Sequence, residues 1–247
     1  MQKITAAILI IGNEILSGRT QDINIQYIAT KLSEHGINLE EVRIVPDIKS
    51  SIIDAIHNLR KKYTYLFTTG GIGPTHDDIT SDAIADAFGV KLAKHPEAYR
   101  RLEEYYASKG RTLTMPNEKM AYIPEGANLI DNTASTAPGF VMENVYVMAG
   151  VPYIMHAMMD FVLPTLKSSA RIESRDISLL VGESFIAKEM EYIQTKYPDV
   201  SVGSYPFIRE GGYGTSVAMR SSNIDSLDKA FDEFTNIMSN LSIPRNN

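Results

Sequence analysis

A glycine-rich loop with two adjacent carboxylates is the part of this sequence best suited to chemistry. The loop covers residues 70–80, follows an apolar run and carries Asp77 and Asp78 just before a predicted helix. Glycines allow a backbone to approach a ligand closely, and N–H groups at the start of a helix bind anions. Because the loop has no Lys or Arg, peptide dipoles and a divalent cation on Asp77 and Asp78 would offset the charge of a bound phosphate. The loop therefore predicts a site for a phosphate-bearing ligand.

The glycine-rich loop matches neither of two common phosphate-binding motifs, and a simpler interpretation stays open. No Gly-Lys-Ser or Gly-Lys-Thr follows, as a Walker A loop requires, and the third glycine of a dinucleotide fingerprint is missing. The simpler interpretation is a tight turn whose aspartates cap the helix that begins near Thr80. Within the loop, His76 is a candidate for assisting proton transfer, because histidine titrates near neutral pH.

Two further loops carry polar residues that suit the same site. The amino-terminal loop, residues 12–18, follows the first apolar run and is expected at the same edge of the sheet. Its Glu14 is suited to accepting hydrogen bonds or joining a metal shell, and Arg19 is the nearest cation for an anionic ligand. The alternative is a plain connection to a helix capped near Asp22. The wall loop, residues 131–140, supplies small polar groups suited to lining a pocket.

Strand-like and helical patterns alternate through the first two thirds of the chain. Residues 4–11 form a continuous apolar run, which is typical of a central strand covered on both faces. Further strands are predicted at residues 42–45 and 65–69, each preceded by a helical stripe, and a helix over residues 80–88 is closed by Gly89. This alternation predicts an α/β fold with a mostly parallel sheet and a ligand site beyond the carboxyl ends of its strands.

The remainder of this first domain is predicted to contain two more helices and a hairpin. Residues 95–108 predict a surface helix, residues 140–148 a short hairpin, and residues 152–166 a Met-rich helix. The residues expected on the buried side of the surface helix are Tyr99, Leu102, Tyr105 and Tyr106.

A smaller second domain is predicted where the pattern changes, near residues 167–169. Its predicted elements are strands at residues 177–181 and on both sides of Arg209-Glu210-Gly211-Gly212, and helices at residues 184–196 and 224–241. The order β-α-β-β-α is typical of a small α+β domain with an antiparallel sheet. We therefore expect two domains, residues 1–168 and residues 169–247.

Composition excludes several classes of protein. The net charge of −6 and pI near 5.4 leave no broad basic footprint, so nucleic acid is not an expected partner. The absence of cysteine excludes disulfides, thiolate nucleophiles and Cys-based zinc sites, and the cytoplasm is the expected compartment. The first apolar run is too short to span a bilayer, so no membrane association is expected.

The motifs of the first domain together resemble the MoaB/Mog-like molybdopterin-binding domain family in its CinA-like branch. The resemblance covers residues 4–166, and the motifs occur in the family's order. They are Gly12-Asn13-Glu14-Ile15-Leu16-Ser17-Gly18, Asp22-x-Asn24, Val45-Pro46-Asp47, residues 68–80, Ala137-Pro138-Gly139-Phe140 and Gly150-Val151-Pro152. The resemblance implies a three-layer α/β/α fold with its site at these loops. The residues after 169 resemble the small α+β domain that follows in CinA-like proteins.

The resemblance also implies roles for particular residues. Asp78 stands where related pterin adenylyltransferases have a catalytic aspartate, Asp47 matches a second acidic position, and Asp77 and His76 complete the predicted catalytic set. Asp78, Asp77 and Glu14 are the predicted ligands of a divalent metal ion, which would be Mg, Mn or Co. The predicted ligand-binding residues are Gly12, Asn13, Glu14, Ser17, Gly18, Asp22, Asn24, Thr69, Gly70, Gly71, Gly73, Pro74, Thr75, Asn132, Ser135, Pro138, Gly139, Gly150, Val151 and Pro152.

The resemblance implies a reaction and two alternatives to it. CinA-like proteins, and the related domain fused to eukaryotic FAD synthases, are associated with metal-dependent cleavage of nucleotide pyrophosphates such as ADP-ribose or FAD. We expect a pyrophosphatase of this kind, and by resemblance a homo-oligomer. The alternatives are a non-catalytic molybdopterin-binding protein and a pterin adenylyltransferase of molybdenum cofactor biosynthesis.

Three departures from the family's pattern bear on these expectations. Ile154 stands where many relatives have Glu, so no role is expected from a carboxylate there. Asn132-Thr133-Ala134-Ser135 replaces the commoner Asn-Pro-x-Gly and is expected to reshape the pocket wall. Many CinA-like proteins carry a further nicotinamide mononucleotide deamidase domain, and because this sequence stops at Asn247, that activity is not expected.

Overall fold

The computed structural model describes residues 4–168, 172–209 and 212–243. The chain divides into two compact units, Met1–Ser169 and Ala170–Asn247. The strands of the first unit are β1 (Thr5–Ile11), β2 (Asn38–Val45), β3 (Tyr65–Thr69), β4 (Leu92–Lys94), β5 (Tyr122–Pro124), β6 (Asn128–Ile130), β7 (Gly139–Met142) and β8 (Val145–Met148). Its helices are α1 (Asn13–Leu16), α2 (Asn24–Glu34), α3 (Lys49–Lys62), α4 (Thr80–Phe88), α5 (Pro96–Ser108), α6 (Met115–Glu118) and α7 (Pro152–Val162).

Six strands of the first unit form one sheet, in the order β2-β1-β3-β8-β7-β6. The first four run parallel, and β7 and β6 extend the sheet as antiparallel strands. The carboxyl ends of parallel neighbours meet at one edge of a sheet. The loops that follow β1, β3 and β8 therefore lie side by side.

Helices cover both faces of this sheet and give the predicted three layers. Along β1, Leu9 and Ile11 face a core that includes residues of α3 and α4, whereas Ile8 and Ile10 face a second core with α2 and α7. All four side chains are buried. The alternation follows from the two-residue period of a strand, and the unbroken apolar run follows from burial on both sides. The predicted α/β fold with a mostly parallel sheet is confirmed.

Several predicted elements differ from the structure in their limits. β2 was predicted over residues 42–45 but begins at Asn38, because its first residues pair with the start of β1. It is an edge strand, and its Val42 is 40% exposed. α7 gives way to a 3₁₀ turn at Leu163–Thr165, because Pro164 cannot continue the α-helical hydrogen bonds. β4, β5 and β6 were not predicted, since three-residue strands are too short to show a period.

One burial prediction on α5 is wrong. Leu102 is buried in the first core and Tyr99 and Tyr106 pack partly against it, but Tyr105 is 45% exposed. Helical spacing places Tyr105 beside Leu102 on the same side of α5. The core ends before it reaches Tyr105, which instead faces the cavity described below.

The second unit is a small α+β structure, as predicted. Its elements are β9 (Glu173–Leu179), α8 (Ala187–Lys196), β10 (Ser201–Arg209), β11 (Gly212–Ser221) and α9 (Ile224–Asn240). The strands form an antiparallel sheet in the order β10-β11-β9, and Leu179, Val217 and Phe234 belong to its core. β9 begins earlier than predicted. Glu210 and Gly211 of the predicted turn, and Ser169 at the predicted boundary, lie outside the described residues.

The described helices do not suit a bilayer. A membrane-spanning helix needs about 20 mostly apolar residues, whereas α9 has 17 residues with distinct polar and apolar faces. Within the three described ranges, no helix has the length and apolar content to cross a membrane.

Candidate functional site

A cavity of about 820 Å³ opens beyond the carboxyl ends of the parallel strands. Four segments contribute to its lining: the glycine-rich loop, the amino-terminal loop, the wall loop and the turn after β8, which covers residues 149–151. The turn after β8 touches the glycine-rich loop: the Gly70 N–H donates to the Met148 carbonyl at 3.2 Å, and a Cβ on Gly150 would lie 3.2 Å from Gly70 Cα. The loops that the sequence places at one edge of the sheet therefore surround an open cavity.

The backbone path of the glycine-rich loop requires glycine at its start. Gly70 has φ 101° and Gly71 has φ 70°, a region that favours glycine. A Cβ on Gly70 would lie 2.2 Å from the Ile11 carbonyl oxygen, and a Cβ on Gly71 would lie 2.1 Å from the Thr80 hydroxyl oxygen. Thr80 fixes this turn, because its hydroxyl donates to the Gly70 carbonyl at 3.0 Å and its N–H donates to the Gly71 carbonyl at 2.9 Å.

Three consecutive N–H groups of this loop are available to a ligand. Gly71, Ile72 and Gly73 are half-buried and line the cavity. Within the described part of the chain, their N–H groups donate to no backbone or side-chain acceptor. Because these residues are only half-buried and border an open cavity, water or an anion in the cavity is the expected acceptor. Glycine-rich loops that bind phosphate present N–H groups in this way.

Asp77 and Asp78 are held together by one hydroxyl. Thr75 Oγ1 lies 2.5 Å from Asp77 Oδ1 and 2.5 Å from Asp78 Oδ2, and the Thr75 N–H donates to Asp78 Oδ2 at 2.8 Å. The two carboxylate oxygens are therefore no more than twice 2.5 Å apart. One hydroxyl hydrogen serves only one of them at a time, which leaves negative charge for a cation. The alternative that these aspartates cap α4 is wrong, because among the described residues their carboxylates accept from Thr75 and from no N–H group of α4.

A lysine from a distant segment lies against this acidic turn. Lys119, in the 3₁₀ turn after α6, donates from Nζ to the Thr75 carbonyl. The hydrogen bond from Thr75 lowers the pKa of Asp77, with further contributions from the backbone N–H of Asp77 and from His76 and Lys119. Lys119 is thus a cation that contacts the loop directly, whereas Arg19, which the sequence suggested, does not line the cavity.

The cavity lining is strongly acidic. Its charged side chains are Glu14, Asp47, Asp77 and Asp78, and none of the described lining residues is Lys, Arg or His. Asp47 also joins the loops after β1 and β2, because its Oδ2 accepts from the Asn13 N–H at 2.8 Å. Four carboxylates repel a phosphate unless a cation intervenes. The arrangement favours a ligand that arrives with a metal ion.

Asn132 shapes the wall loop through its side chain. Its Oδ1 accepts from the N–H groups of Ala134 and Ser135, and its Nδ2 donates to the Ala137 carbonyl at 3.0 Å. An Asn side chain that binds backbone groups two and three residues ahead forms a turn without a Pro or Gly. The departure from Asn-Pro-x-Gly is therefore accommodated by Asn132, which supports the wall while Ser135 lines the cavity.

The structure brings half of the predicted site residues to the cavity. Those that line it are Glu14, Asp47, Gly70, Gly71, Gly73, Pro74, Thr75, Asp77, Asp78, Ser135, Gly150 and Val151. Those that do not line it are Gly12, Asn13, Ser17, Gly18, Asp22, Asn24, Thr69, His76, Asn132, Pro138, Gly139 and Pro152.

Several predicted residues outside the lining have structural contacts instead. Asp22 Oδ1 accepts from the Ile25 N–H at 2.8 Å, so it caps the start of α2, as the alternative interpretation held. Asn24 is buried and its Nδ2 donates to the Gly150 carbonyl at 2.8 Å, which fixes the turn after β8. The side chain of His76 is 97% exposed.

The predicted metal ligands do not form a complete cluster by themselves. Among the described residues, no group of three or more His, Asp and Glu side chains is arranged to hold a metal ion. Asp77 and Asp78 are close together, but Glu14 does not complete a third ligand with them. A hard cation such as Mg²⁺ is commonly bound by one or two carboxylates together with phosphate oxygens and waters, so the pair fits a metal carried by a phosphate ligand.

The sequence interpretation missed two exposed aromatic residues of the cavity and the contact of Lys119 with the glycine-rich loop. Tyr105 lines the cavity from α5, and Tyr153, which is 63% exposed, lines it from the first turn of α7. An exposed aromatic residue cannot be told from a packed one by helical spacing alone. Ile154, where an acidic residue is absent, also lines the cavity as an apolar side chain.

The fold and cavity define a three-layer α/β protein with a ligand site at the carboxyl edge of its parallel strands. Residues 7–168 match the family described as "Probable molybdopterin binding domain", and residues 171–247 match the family described as "FAD synthase, middle domain". The chain belongs to the molybdopterin-binding domain family. The resemblance to that family and to its CinA-like branch is confirmed.

Individual relatives agree with this assignment. A protein of Archaeoglobus fulgidus is 32% identical over 94% of this chain and 96% of its own length. A CinA-like protein of Chloroherpeton thalassium is 31% identical over 91% of this chain and 56% of its own length. A solved structure of the protein CinA from Thermoplasma acidophilum has 31% identity and a TM-score of 0.61, covering 66% of this chain and 98% of that one. The chain spans about half the length of several curated relatives it matches.

Proposed function

We propose that this chain is a metal-dependent pyrophosphohydrolase that cleaves a nucleotide diphosphate such as ADP-ribose or FAD. The observation that carries the proposal is one cavity that combines three available loop N–H groups with the Asp77 and Asp78 pair. N–H groups suit a phosphate, and paired carboxylates suit the cation that neutralises it. A site with both features suits a pyrophosphate better than an uncharged ligand.

A divalent ion would be held by Asp77 and Asp78. Both present carboxylate oxygens, the hard ligands that Mg²⁺ and Mn²⁺ favour. The hydrogen bond from Thr75 lowers the pKa of Asp77, which favours the ionised carboxylate that a cation binds. When bound, the ion would polarise phosphoryl oxygens and lower the pKa of a water ligand. Thr75 would orient both carboxylates toward it.

The chain's own groups would bind and orient the phosphates. The N–H groups of Gly71, Ile72 and Gly73 would donate to phosphate oxygens and stabilise the charge that develops at phosphorus. Lys119 would add positive potential from outside the lining, because its Nζ lies on the Thr75 carbonyl. We assign no proton-transfer role to His76, because its side chain is 97% exposed and lies outside the lining.

The family match of the second unit favours a nucleotide as the substrate. Residues 171–247 match the family described as the middle domain of FAD synthase, an enzyme named for a flavin dinucleotide. FAD and ADP-ribose are both esters of adenosine diphosphate, and cleavage of the pyrophosphate of either compound releases AMP. Both compounds are therefore the first substrates to test.

The test is AMP release from ADP-ribose and from FAD with Mg²⁺, Mn²⁺ or Co²⁺. Asp78→Asn keeps the shape and the hydrogen bond from Thr75 but removes the charge, and we expect turnover to fall by roughly 100-fold or more. Asp54→Asn is the matched control, because Asp54 is an exposed carboxylate on α3 outside the cavity. Equal turnover by Asp78→Asn and wild type would refute the proposal.

Pterin binding without hydrolysis is the second candidate. The match of residues 7–168 to the molybdopterin-binding family favours it, and the cavity would hold the ligand without any catalytic water. Tight binding of a phosphorylated pterin, together with no metal-stimulated cleavage of ADP-ribose or FAD, would favour this candidate. Pterin-dependent consumption of ATP would instead indicate an adenylyltransferase.

A further inference from the structure

The cavity is lined by two chemically different sets of residues. Its charged side chains come only from the loops that follow β1, β2 and β3. The rest of the lining is uncharged, and its aromatic and larger apolar side chains outside the glycine-rich loop include Tyr105, Tyr106, Met120, Tyr153, Ile154 and Met158. A volume of about 820 Å³ is typical of a pocket for a whole organic ligand. If a phosphate group alone were bound, the aromatic side chains of the lining would remain in contact with water.

Two tyrosine residues of the cavity lining are exposed. Tyr105 is 45% exposed and Tyr153 is 63% exposed. Tyr106 supports Tyr105 at a ring distance of 5.6 Å and an angle of 90°, and Lys109 Nζ lies 5.8 Å from the Tyr105 centroid. Among the described residues, Tyr153 has no aromatic partner. Exposed aromatic faces at a cavity are favourable stacking surfaces for a planar ligand.

Tyr153 lies close to the glycine-rich loop. Gly150 packs against Gly70 of the glycine-rich loop, and Tyr153 follows Gly150 by three residues. Three residues span at most about 11 Å between Cα atoms. Tyr153 therefore stands near enough to the loop for one ligand to contact both.

The described lining has no side chain of the types that most often form paired hydrogen bonds with the edge of a heterocyclic ring. Side chains that recognise bases by paired hydrogen bonds are chiefly Arg, Asn and Gln. None of the described lining residues is one of these. Stacking on an aromatic residue is tolerant of base identity, because every base has a π-face.

We infer that Tyr105 and Tyr153 form a stacking subsite for the planar ring of a phosphate-bearing ligand, and that this subsite accepts different nitrogen heterocycles. The inference rests on the proposed function, because it takes the phosphate to occupy the glycine-rich loop. It extends that proposal by assigning the ring-binding half of the ligand and its low selectivity. Adenine, flavin and pterin compounds all satisfy it.

Binding of mononucleotides tests the subsite separately from hydrolysis. Isothermal titration in Mg²⁺ would compare AMP, FMN and ribose 5-phosphate, none of which contains a pyrophosphate to cleave. We expect wild type to bind AMP and FMN within about tenfold of each other, and ribose 5-phosphate at least about tenfold more weakly. Tyr105→Leu and Tyr153→Leu should each weaken AMP by about 5-fold or more and leave ribose 5-phosphate unchanged.

Two control variants separate stacking from general damage. Tyr105→Phe keeps the ring and should bind AMP within about threefold of wild type. Phe161→Leu removes an exposed ring on α7 outside the lining and should have no effect. Equal AMP affinity in wild type and both Leu variants would overturn the inference, as would equal binding of AMP and ribose 5-phosphate by wild type. Failure of the Asp78→Asn hydrolysis test would leave these binding results intact.

Discussion

Replacement of Gly70 by alanine is the most direct perturbation of the loop that forms the site. Gly70 combines a φ of 101° with close contact to the neighbouring strand. Its added Cβ would lie 2.2 Å from the Ile11 carbonyl oxygen, whereas ordinary contact begins at 3.4 Å. The neighbour is backbone within a central strand, so it cannot rotate away as a side chain would. Either β1 or the glycine-rich loop must move.

The expected loss of stability has two parts. An alanine at positive φ costs about 1–2 kcal/mol, and overpacking against fixed neighbours costs about 1–3 kcal/mol more. Gly70→Ala should therefore destabilise the first unit by about 2–5 kcal/mol. Gly89→Ala is the matched control, because Gly89 has φ 66° but no atom within 4 Å of its added Cβ. It should lose only the conformational part, about 1–2 kcal/mol.

Native-state hydrogen exchange followed by mass spectrometry measures this difference locally. Opening free energies of peptides that cover β1 report on the first unit, and peptides that cover β9 serve as an internal reference in the second. We expect β1 protection to fall more in Gly70→Ala than in Gly89→Ala, with β9 unchanged. If the two variants reduce β1 protection equally, the loop does not lie on β1 as described.

Three further predictions concern the acidic turn and its surroundings. Gly73→Ala would place a Cβ 2.7 Å from Asp78 Oδ2. Because small displacements of site groups are costly, we expect the Mn²⁺ affinity measured by EPR to fall by roughly tenfold. Unchanged affinity would contradict the geometry. Thr75→Val removes the main cause of the lowered Asp77 pKa, so a carbon-13 NMR titration should show that pKa rise. Stability linked to the lowered pKa is present above the ordinary Asp value and is lost as the pH falls through the folded-state pKa, so the variant should lose it at higher pH. Lys119→Met should weaken ribose 5-phosphate binding in calorimetry by about fivefold, whereas equal binding would show that Lys119 does not act on the ligand.

The sheet and the edge that carries the candidate site could be predicted because their signals are local. The apolar run of β1 and the capping glycine Gly89 each determine structure within a few residues. Once the strands are known to be parallel, the loops after β1 and β3 must meet at one edge. This reasoning needed no information on distant contacts.

The parts that could not be predicted depend on contacts between distant residues. Lys119 reaches the Thr75 carbonyl across 44 positions, and no periodic pattern marks such a contact. Tyr105 has the spacing of a core residue, but the core does not extend as far as its side chain. Asp22 and Asn132 have residue types suited to ligands, yet their oxygens accept from nearby backbone N–H groups. Side-chain type alone does not distinguish binding a ligand from shaping a loop.

In the proposed mechanism, Asp77 and Asp78 hold a divalent ion against a phosphate ligand on the glycine-rich loop. Anomalous diffraction at the manganese edge, from crystals of the full chain with Mn²⁺ and a non-cleavable ADP-ribose analogue, would locate that ion. We expect one manganese peak within coordination distance of both carboxylates, with phosphate oxygens at the N–H groups of residues 71–73. A manganese peak away from both aspartates, or the analogue bound elsewhere on the chain, would contradict it.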